Sequence, residues 1–308
     1  MFTIDVDEGK WKKEIIETLL IDRTTNRNII WGTDDYEILG REYDSHYPIL
    51  YSLITGKNSN VIQPRILKTK ESQGKRTKGK AEVFTPSWVC NAQNNLVDNA
   101  WFRSENIFNR EIEKGWETNT EKIKFPDKKN KTWQKYVDEK RLEITCGEAP
   151  YLVSRYDTVS GEPLELKDRI GMLDRKMRVV CENTDSDTEW LKWSERAFQS
   201  IYGFEFQGDS LLIARENLLA SYCDYMEEKL NRYPTEKELV NIAKIISWNL
   251  WQMDGLTYTI PYEEAVDSIE QITLFDFQEK DKKSLCIIKD WRAKRNYTFQ
   301  DLVNKGGN

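Results

Sequence analysis

The sequence contains a single histidine, His46, among 308 residues. This scarcity excludes zinc sites built from several histidines and disfavours a Ser-His-Asp triad. His46 lies in the loop-like stretch REYDSHYP and is predicted to be a surface or turn residue. No metal site is therefore expected in this chain.

Paired cysteines and long apolar runs are also missing. Five cysteines are scattered without a Cys-x-x-Cys pair, at positions 90, 146, 181, 223 and 286, which argues against a zinc ribbon or a disulfide framework and for a reducing compartment. No run approaches the roughly 18 apolar residues that span a bilayer, and the charged first thirty residues lack a signal-peptide pattern. We expect a cytoplasmic protein without a membrane partner.

The charge distribution is uneven although the net charge is only −6. A basic arm from residue 65 to residue 80 contains seven cations and a single acid, Glu71. The cations are Arg65, Lys68, Lys70, Lys75, Arg76, Lys78 and Lys80. Two interpretations are equally open, a solvated loop or an arm that binds the phosphates of double-stranded DNA. The acidic segment 263–281 is expected to avoid nucleic acid.

Three β-prone runs, RLEIT, IYGFEF and NLWQM, alternate with helical patterns. This alternation predicts an α/β fold with a parallel, doubly wound sheet behind an N-terminal helical or irregular region. Pro86 is expected to open a helix whose apolar stripe comprises Val89, Ala92, Leu96, Val97 and Ala100. The pattern from residue 208 predicts another helix, with its leucines on one face.

Polar residues stand where these strands should end, and ligands of such sheets bind at the carboxyl ends of strands. The Cys146-Gly147 turn allows close approach of backbone to a ligand. Glu205 is positioned to accept hydrogen bonds from a ribose, and Asp254 from an exocyclic amine. The alternatives are a purely structural Cys-Gly turn, a Glu205 that caps the next helix and an ordinary Asp-Gly turn at Asp254.

Four motifs in order resemble the S-adenosylmethionine-site motifs of N6-adenine DNA methyltransferases from restriction–modification systems. They are FTP (84–86), EITCGEAPYL, YGFEFQGDSLLIARENLL and NLWQMDGL. The resemblance implies a Rossmann-like methyltransferase fold, S-adenosylmethionine as cofactor and double-stranded DNA as partner. It implies that the cofactor contacts Phe84, Thr85, Pro86, Glu143, Cys146, Gly147, Glu205, Phe206 and Asp254.

The roles carried by this resemblance are specific. Phe84, Thr85 and Pro86 would lie against the methionine part, with Glu143, Cys146 and Gly147 on its other side. Glu205 would bind the ribose, Asp254 the adenine amine, and Phe206 would cover the adenine ring. The chain departs from the family pattern where Glu143 replaces an aspartate, Glu148 a serine and Ala149 a glycine.

The family's Asn-Pro-Pro-Tyr catalytic tetrad is absent from the sequence. Its weak substitute is TIPY, which keeps Pro261 and Tyr262 but lacks the asparagine. The 54 residues after Asp254 are also too few for the rest of a methyltransferase sheet. We therefore expect half a sheet, and a second methyltransferase polypeptide or specificity subunit that supplies catalysis and target recognition.

The expected organisation has three parts: an N-terminal region with the basic arm (1–80), a cofactor-binding domain (81–256) and a C-terminal extension (257–308). An inactive methyltransferase-like protein that binds DNA or organises an assembly, with or without bound cofactor, is the competing hypothesis. A metal-dependent nuclease is disfavoured because no Asp…Glu-x-Lys spacing is present.

Overall fold

The computed structural model describes residues 11–68, 85–262 and 285–306. The α-helices of these ranges are α1 (Lys13–Leu20), α2 (Tyr51–Ile54), α3 (Ser87–Phe102), α4 (Trp133–Val137), α5 (Met172–Asn183), α6 (Asp187–Phe198), α7 (Gly208–Leu230), α8 (Glu236–Asn249) and α9 (Phe299–Gly306). The strands are β1 (Asn109–Ile112), β2 (Gly115–Thr118), β3 (Arg141–Glu143), β4 (Ile201–Glu205), β5 (Leu250–Gln252), β6 (Ile287–Asp290) and β7 (Arg295–Thr298).

The central element is a three-stranded parallel sheet of order β3-β4-β5. Arg141 aligns with Ile201, and Gly203 aligns with Leu250. Helices α5 and α6 connect β3 to β4, and α7 and α8 connect β4 to β5. The predicted α/β class and the parallel pairing of these three strands are confirmed. The strand order does not reverse within the described sheet, so the point at which a doubly wound sheet changes direction does not lie between these strands.

Helix α7 crosses the main core and is buried on every side from Gly208 to Cys223. The predicted helix is confirmed, and its burial extends beyond the face that carries the leucines. Its partners include α1, α5, α8 and two strands. The buried Arg215 donates hydrogen bonds to the backbone carbonyls of Leu19, Ser247 and Leu250, and these contacts satisfy carbonyls near the C-terminal ends of α1 and α8.

Helix α8 begins with a capping box in which the Thr235 hydroxyl accepts the N–H of Glu238. The Glu238 carboxylate in turn accepts the backbone N–H of Thr235 at 2.7 Å. Because two otherwise unpaired donors are satisfied reciprocally, the start of this helix is fixed locally. The sequence predicted this cap correctly.

Helix α3 begins after Pro86 as predicted, but the predicted apolar stripe was wrong. Leu96 is 69% exposed and Val97 is 40% exposed. The buried face is polar and carries Asn91, Asn94, Asn95 and Asp98. These side chains enter the core because each has a hydrogen-bond partner there, which removes the main cost of burying polar groups.

Arg175 of α5 is the centre of this polar network. Its Nη1 donates to Asp98 at 2.7 Å, and its Nη2 donates to the side-chain oxygens of Asn91 and Asn95. The phenol of Tyr136 donates to the same Asp98. Helices α3, α4 and α5 are thus joined by one buried set of charge-assisted hydrogen bonds.

The two faces of the sheet have different covers. The N-terminal region, from Trp11 to Ile62, shares the main hydrophobic core with residues 101–250, and α1 packs on α8. On the other face, β6, β7 and α9 cover a smaller core that includes Phe204, Trp251, Ile288 and Phe299. Within the described ranges, none of the helices has the length and apolar character required to cross a membrane.

Replacement of Asp98 by alanine should lower the free energy of unfolding by about 3–5 kcal/mol, because Arg175 would stay buried without its carboxylate. Urea denaturation followed by circular dichroism measures the change. The exposed Asp127→Ala is the matched control, with an expected change below about 0.5 kcal/mol. A loss smaller than about 1 kcal/mol for Asp98→Ala would contradict this account of the network.

Candidate functional site

The carboxyl ends of the three parallel strands bring three loops to one edge of the sheet. The first follows β3 and contains Cys146, whose N–H donates to the carbonyl of Phe204 at 2.8 Å. The second begins at Glu205, and the third follows Met253, whose N–H donates to the carbonyl of Glu205. Parallel pairing is the reason that segments more than a hundred residues apart in sequence meet here.

The loop after β3 is a tight turn with several left-handed residues. Thr145, Gly147 and Ala149 have φ values of 46°, 53° and 63°. Ala149 is completely buried, and an alanine in this conformation costs about 1–2 kcal/mol that a glycine avoids. The turn is held by the Ala149 N–H, which donates to the Cys146 carbonyl at 2.7 Å.

The carboxylate of Glu205 joins the first loop to the second. One oxygen accepts the Gly147 N–H at 2.8 Å. The other accepts the N–H groups of Phe206 and Gln207 at 2.9 and 3.1 Å, just before α7 begins. Burial raises the pKa of Glu205, an effect that these three N–H donors oppose.

Glycine at position 208 is required by the packing of this second loop. Its N–H donates to the carbonyl of Trp31, and a Cβ atom there would lie 1.9 Å from the carbonyl oxygen of Ile30. A larger residue would therefore push α7 away from the N-terminal region. This close approach fixes Glu205 and Phe206 relative to the core.

Glu143 is buried, and its carboxylate binds a different part of this loop from the part that Glu205 binds. Its oxygens accept the N–H groups of Tyr151 and Leu152 at 3.3 and 3.1 Å. Burial raises the pKa of Glu143 well above its usual value, and the nearby Glu205 adds to the rise. In the described contacts, this carboxylate stabilises the end of the β3 loop.

Thr85 and Pro86 lie beside the same loop. The Thr85 carbonyl accepts the hydroxyl of Thr158 at 3.2 Å and the thiol of Cys90 at 3.6 Å. The structure therefore brings Thr85, Pro86, Glu143, Cys146, Gly147 and Glu205 to one corner of the sheet. Phe84 lies outside the described residues.

Asp254 forms a turn at the start of the third loop. Its Oδ1 accepts the N–H groups of Leu256 and Thr257 at 2.8 and 3.4 Å. This is the side-chain-to-backbone pattern by which aspartate stabilises turns. The side chain is half-buried, and its Oδ2 accepts no hydrogen bond from the described residues.

Three aromatic rings form a row above these loops. The ring of Tyr262 lies 4.1 Å from that of His46 and 5.4 Å from that of Phe206, centroid to centroid. Tyr262 is 40% exposed, whereas Pro261 is buried. His46 was predicted only as a surface or turn residue, and its exposure agrees, but its contact with Tyr262 could not be read from the sequence.

The described part of the basic arm is held by buried carboxylates. Lys68 forms an ion pair with Asp209 at 2.9 Å, and both side chains are nearly inaccessible to solvent. The backbone N–H of Arg65 donates to Glu148 at 2.7 Å. The charge of Lys68 is therefore already balanced within the protein, while Lys70, Lys75, Arg76, Lys78 and Lys80 lie outside the described residues.

Two further residues of this region, Glu148 and Asp209, were not identified from the sequence as buried hydrogen-bond acceptors. Glu148 accepts the phenol of Tyr156 as well as the Arg65 N–H, and Asp209 accepts the phenol of Tyr36. An acid in the first turn of a helix was a signal for Asp209, but nothing local distinguished Glu148. Among the residues that the structure describes, no group of three His, Cys, Asp or Glu side chains is arranged to hold a metal ion.

Replacement of Glu143 by glutamine should lower the free energy of unfolding less, relative to wild type, as the pH rises. The pKa of Glu143 is higher in the folded than in the unfolded protein, so wild-type stability falls as pH rises from the unfolded value of about 4.3 towards the folded one. The Glu143→Gln variant has no carboxyl group at this position, so its stability does not fall for this reason. Its free energy of unfolding relative to wild type should therefore increase between about pH 5 and 8.

Urea titrations at four pH values measure that difference. The exposed Glu162→Gln provides the control, with a stability difference from wild type that stays constant over the same range. A constant difference for Glu143→Gln would show that the buried carboxyl carries no charge penalty.

Comparison with known proteins adds no relative: no family model, curated protein or solved structure matches the chain.

Proposed function

We propose that this chain is the S-adenosylmethionine-binding subunit of an adenine-N6 DNA methyltransferase of a restriction–modification system. The observation that carries the proposal is the meeting, at one sheet edge, of Thr85 and Pro86, the left-handed turn after β3, Glu205 and Asp254. These are the motifs of the family in their order, and this edge is where doubly wound sheets bind ligands. A role on chromosomal DNA would place the protein in the cytoplasm.

The hydrogen-bonding capacity of the acids supports this reading. A carboxylate offers about four lone-pair sites, of which Glu205 uses three for backbone N–H groups. The remaining site suits one ribose hydroxyl. The unused Oδ2 of Asp254 suits the exocyclic amine of adenine. Phe206, which follows Glu205 and lies 5.4 Å from the ring of Tyr262, is the apolar cover that we propose for the adenine ring.

The backbone of the β3 turn supports it as well. Ala149 keeps the left-handed conformation at the position where the family pattern has glycine, so the course of that turn survives the substitution. A tight turn of this kind allows a ligand to approach the backbone closely. When bound, the cofactor would supply the methyl group, and this chain would bind and orient it.

Transfer to adenine N6 also needs a group that holds the extruded base, because the amine is otherwise paired in the duplex. The segment TIPY lacks the asparagine of the family tetrad, and Pro261 is buried. We therefore propose that a second polypeptide supplies the catalytic loop and the recognition of the DNA sequence.

A catalytically inactive assembly or DNA-binding protein is the second candidate. One observation favours it: Glu143, Glu205 and Asp254 all hold backbone N–H groups in the described structure. Each acid thus has a structural role that would persist without a cofactor. The first candidate requires that S-adenosylmethionine binds and that Asp254 contributes to binding, whereas the inactive candidate is possible with or without bound cofactor.

Asp254→Asn tests the cofactor-binding candidate with little change to the fold. Asparagine keeps the oxygen that accepts the Leu256 N–H, and it is well tolerated in turns. The amide nitrogen that replaces Oδ2 is a donor, however, and cannot accept a hydrogen bond from the adenine amine. Affinity for S-adenosylmethionine should therefore fall about tenfold, which corresponds to the loss of one hydrogen bond. Isothermal titration calorimetry measures the affinity.

Asp290→Asn is the matched control, because Oδ1 of Asp290 also accepts two turn N–H groups, from Arg292 and Ala293. It should leave the affinity unchanged. Binding by wild type with no effect of Asp254→Asn would reject the assigned role of Asp254. No binding by wild type would favour the inactive candidate.

The free edge of β3 is the docking surface that we propose for the second polypeptide. The order β3-β4-β5 matches one half of a doubly wound sheet, whose other half continues from the first strand, and here that strand is β3. Leu142 is 44% exposed and Ile144 is 66% exposed along this edge. An unpaired edge with apolar side chains is one that proteins normally cover.

A cavity of about 310 Å³ extends this apolar edge, and its lining includes Leu142, Tyr297, Phe299, Leu302 and Val303. The cavity therefore adds side-chain pockets beside the outermost strand of the described sheet, which is the combination used in strand addition. We propose that the Rossmann-like sheet is completed here.

The double variant Leu142→Lys, Ile144→Lys should weaken association with the second polypeptide at least tenfold. The measurement is sedimentation velocity on the chain co-purified with the product of the adjacent reading frame. Ile112→Lys on strand β1, which is 47% exposed, is the control and should leave association unchanged. Equal effects of both changes would mean that the β3 edge is not the interface.

A further inference from the structure

A group of cations lies near the start of β5, at the end of the sheet opposite to the carboxyl ends of the strands that form the candidate cofactor site. It comprises Arg23 after α1, Lys244 on α8 and Lys289 on β6, together with the indole rings of Trp248 and Trp291. We call this set the cationic patch. Trp291 connects it to the start of β5, because its indole N–H donates to the Asn249 side chain at 2.7 Å.

The three cations of the patch make no ion pair with a carboxylate in the described parts of the chain. Arg23 uses its Nε to donate to the Ser247 hydroxyl at 2.8 Å, while its two terminal nitrogens make no hydrogen bond to described residues. Lys289 lies 4.3 Å from the ring centre of Trp291 and 5.1 Å from that of Trp248. Each ring contact stabilises the ammonium but leaves its charge uncompensated.

The cations lie close enough to repel one another. The pKa of Lys289 is lowered first by burial and then by Lys244 and Arg23. Beneath the surface, Arg215 has its pKa lowered to about 9 by burial, with Arg23 contributing. Asp22 is the acid that opposes both arginines, and it also accepts hydrogen bonds from Thr25.

Helix ends explain only part of this arrangement. Lys244 lies five residues before the C-terminal end of α8, and Arg23 follows the C-terminal end of α1 by three residues, so both are on the side of each helix where its dipole favours cations. That effect falls off within one turn and is worth about 0.3–1 kcal/mol at exposed sites. It does not account for Lys289 on a strand, or for the convergence of three elements that bring like charges together.

We propose that the cationic patch binds the phosphate backbone of nucleic acid, as a contact separate from the candidate cofactor site. The free fork of Arg23 suits two oxygens of one phosphate, and the two lysines provide further point charges beside it. Indole rings between basic residues give apolar sides against which sugars and bases pack. This contact does not depend on S-adenosylmethionine binding.

The test is fluorescence anisotropy with a 20-base-pair duplex at several salt concentrations. The double variant Lys244→Gln, Lys289→Gln should reduce the slope of log affinity against log salt by about 2, since each phosphate contact contributes about 0.9. Binding should weaken equally for duplexes of different sequence. Lys289→Arg, which keeps the charge, should retain the wild-type slope.

The charge-matched control is Lys57→Gln, Lys167→Gln, which removes two exposed lysines elsewhere and should leave the slope unchanged. Equal losses in both double variants would indicate a net-charge effect and overturn the proposal. It would also fail if the wild type bound no duplex at 50 mM salt, or if the patch variant bound like wild type.

Competition distinguishes the chemical source of the anion. Single-stranded DNA should compete through the same patch, whereas inorganic phosphate at equal phosphate concentration should compete poorly. If poly-glutamate or free phosphate competes as well as DNA, and with the same sensitivity to Lys244 and Lys289, the patch is not a nucleic-acid surface. Thermal denaturation monitored by circular dichroism establishes that each variant remains folded.

Discussion

The carboxylate of Glu205 connects the two loops on which the candidate site depends. It accepts the Gly147 N–H from one loop and two N–H groups at the start of α7 from the other. A single charged acceptor thereby fixes the distance between the turn after β3 and the N-terminus of the central helix. Because N–H groups near a helix N-terminus stabilise a negative charge, this position tolerates an acid that burial alone would disfavour.

The same principle recurs wherever charge is buried in this chain. Arg215 is inside the core because backbone carbonyls of α1, α8 and β5 accept its hydrogen bonds. Lys176 likewise donates to the carbonyl of Val137 and to the hydroxyl of Ser200, although burial lowers its pKa well below the usual value. These buried cations satisfy carbonyls near helix ends and thereby join helices to the sheet.

The proposed cofactor site and the proposed nucleic-acid contact lie at opposite ends of the strands of one sheet. The cofactor end carries acids and left-handed turns, whereas the other end carries Arg23, Lys244 and Lys289. A protein with a net charge of −6 binds DNA only where cations are concentrated locally. Since Lys68 already pairs with Asp209, the cationic patch supplies exposed positive charge that this lysine of the basic arm does not.

Local patterns in the sequence determined the α/β class, the parallel strands, the start of α3 after Pro86 and the cap of α8. They also identified Glu205 and the Cys146-Gly147 turn as neighbours, because polar residues at the ends of parallel strands share an edge. Only the tertiary structure decided which face of α3 is buried, since Asn91, Asn95 and Asp98 have partners from distant segments. It alone brought His46 to Tyr262 and three cations to one patch, because such contacts depend on packing between elements and leave no periodic signal along the chain.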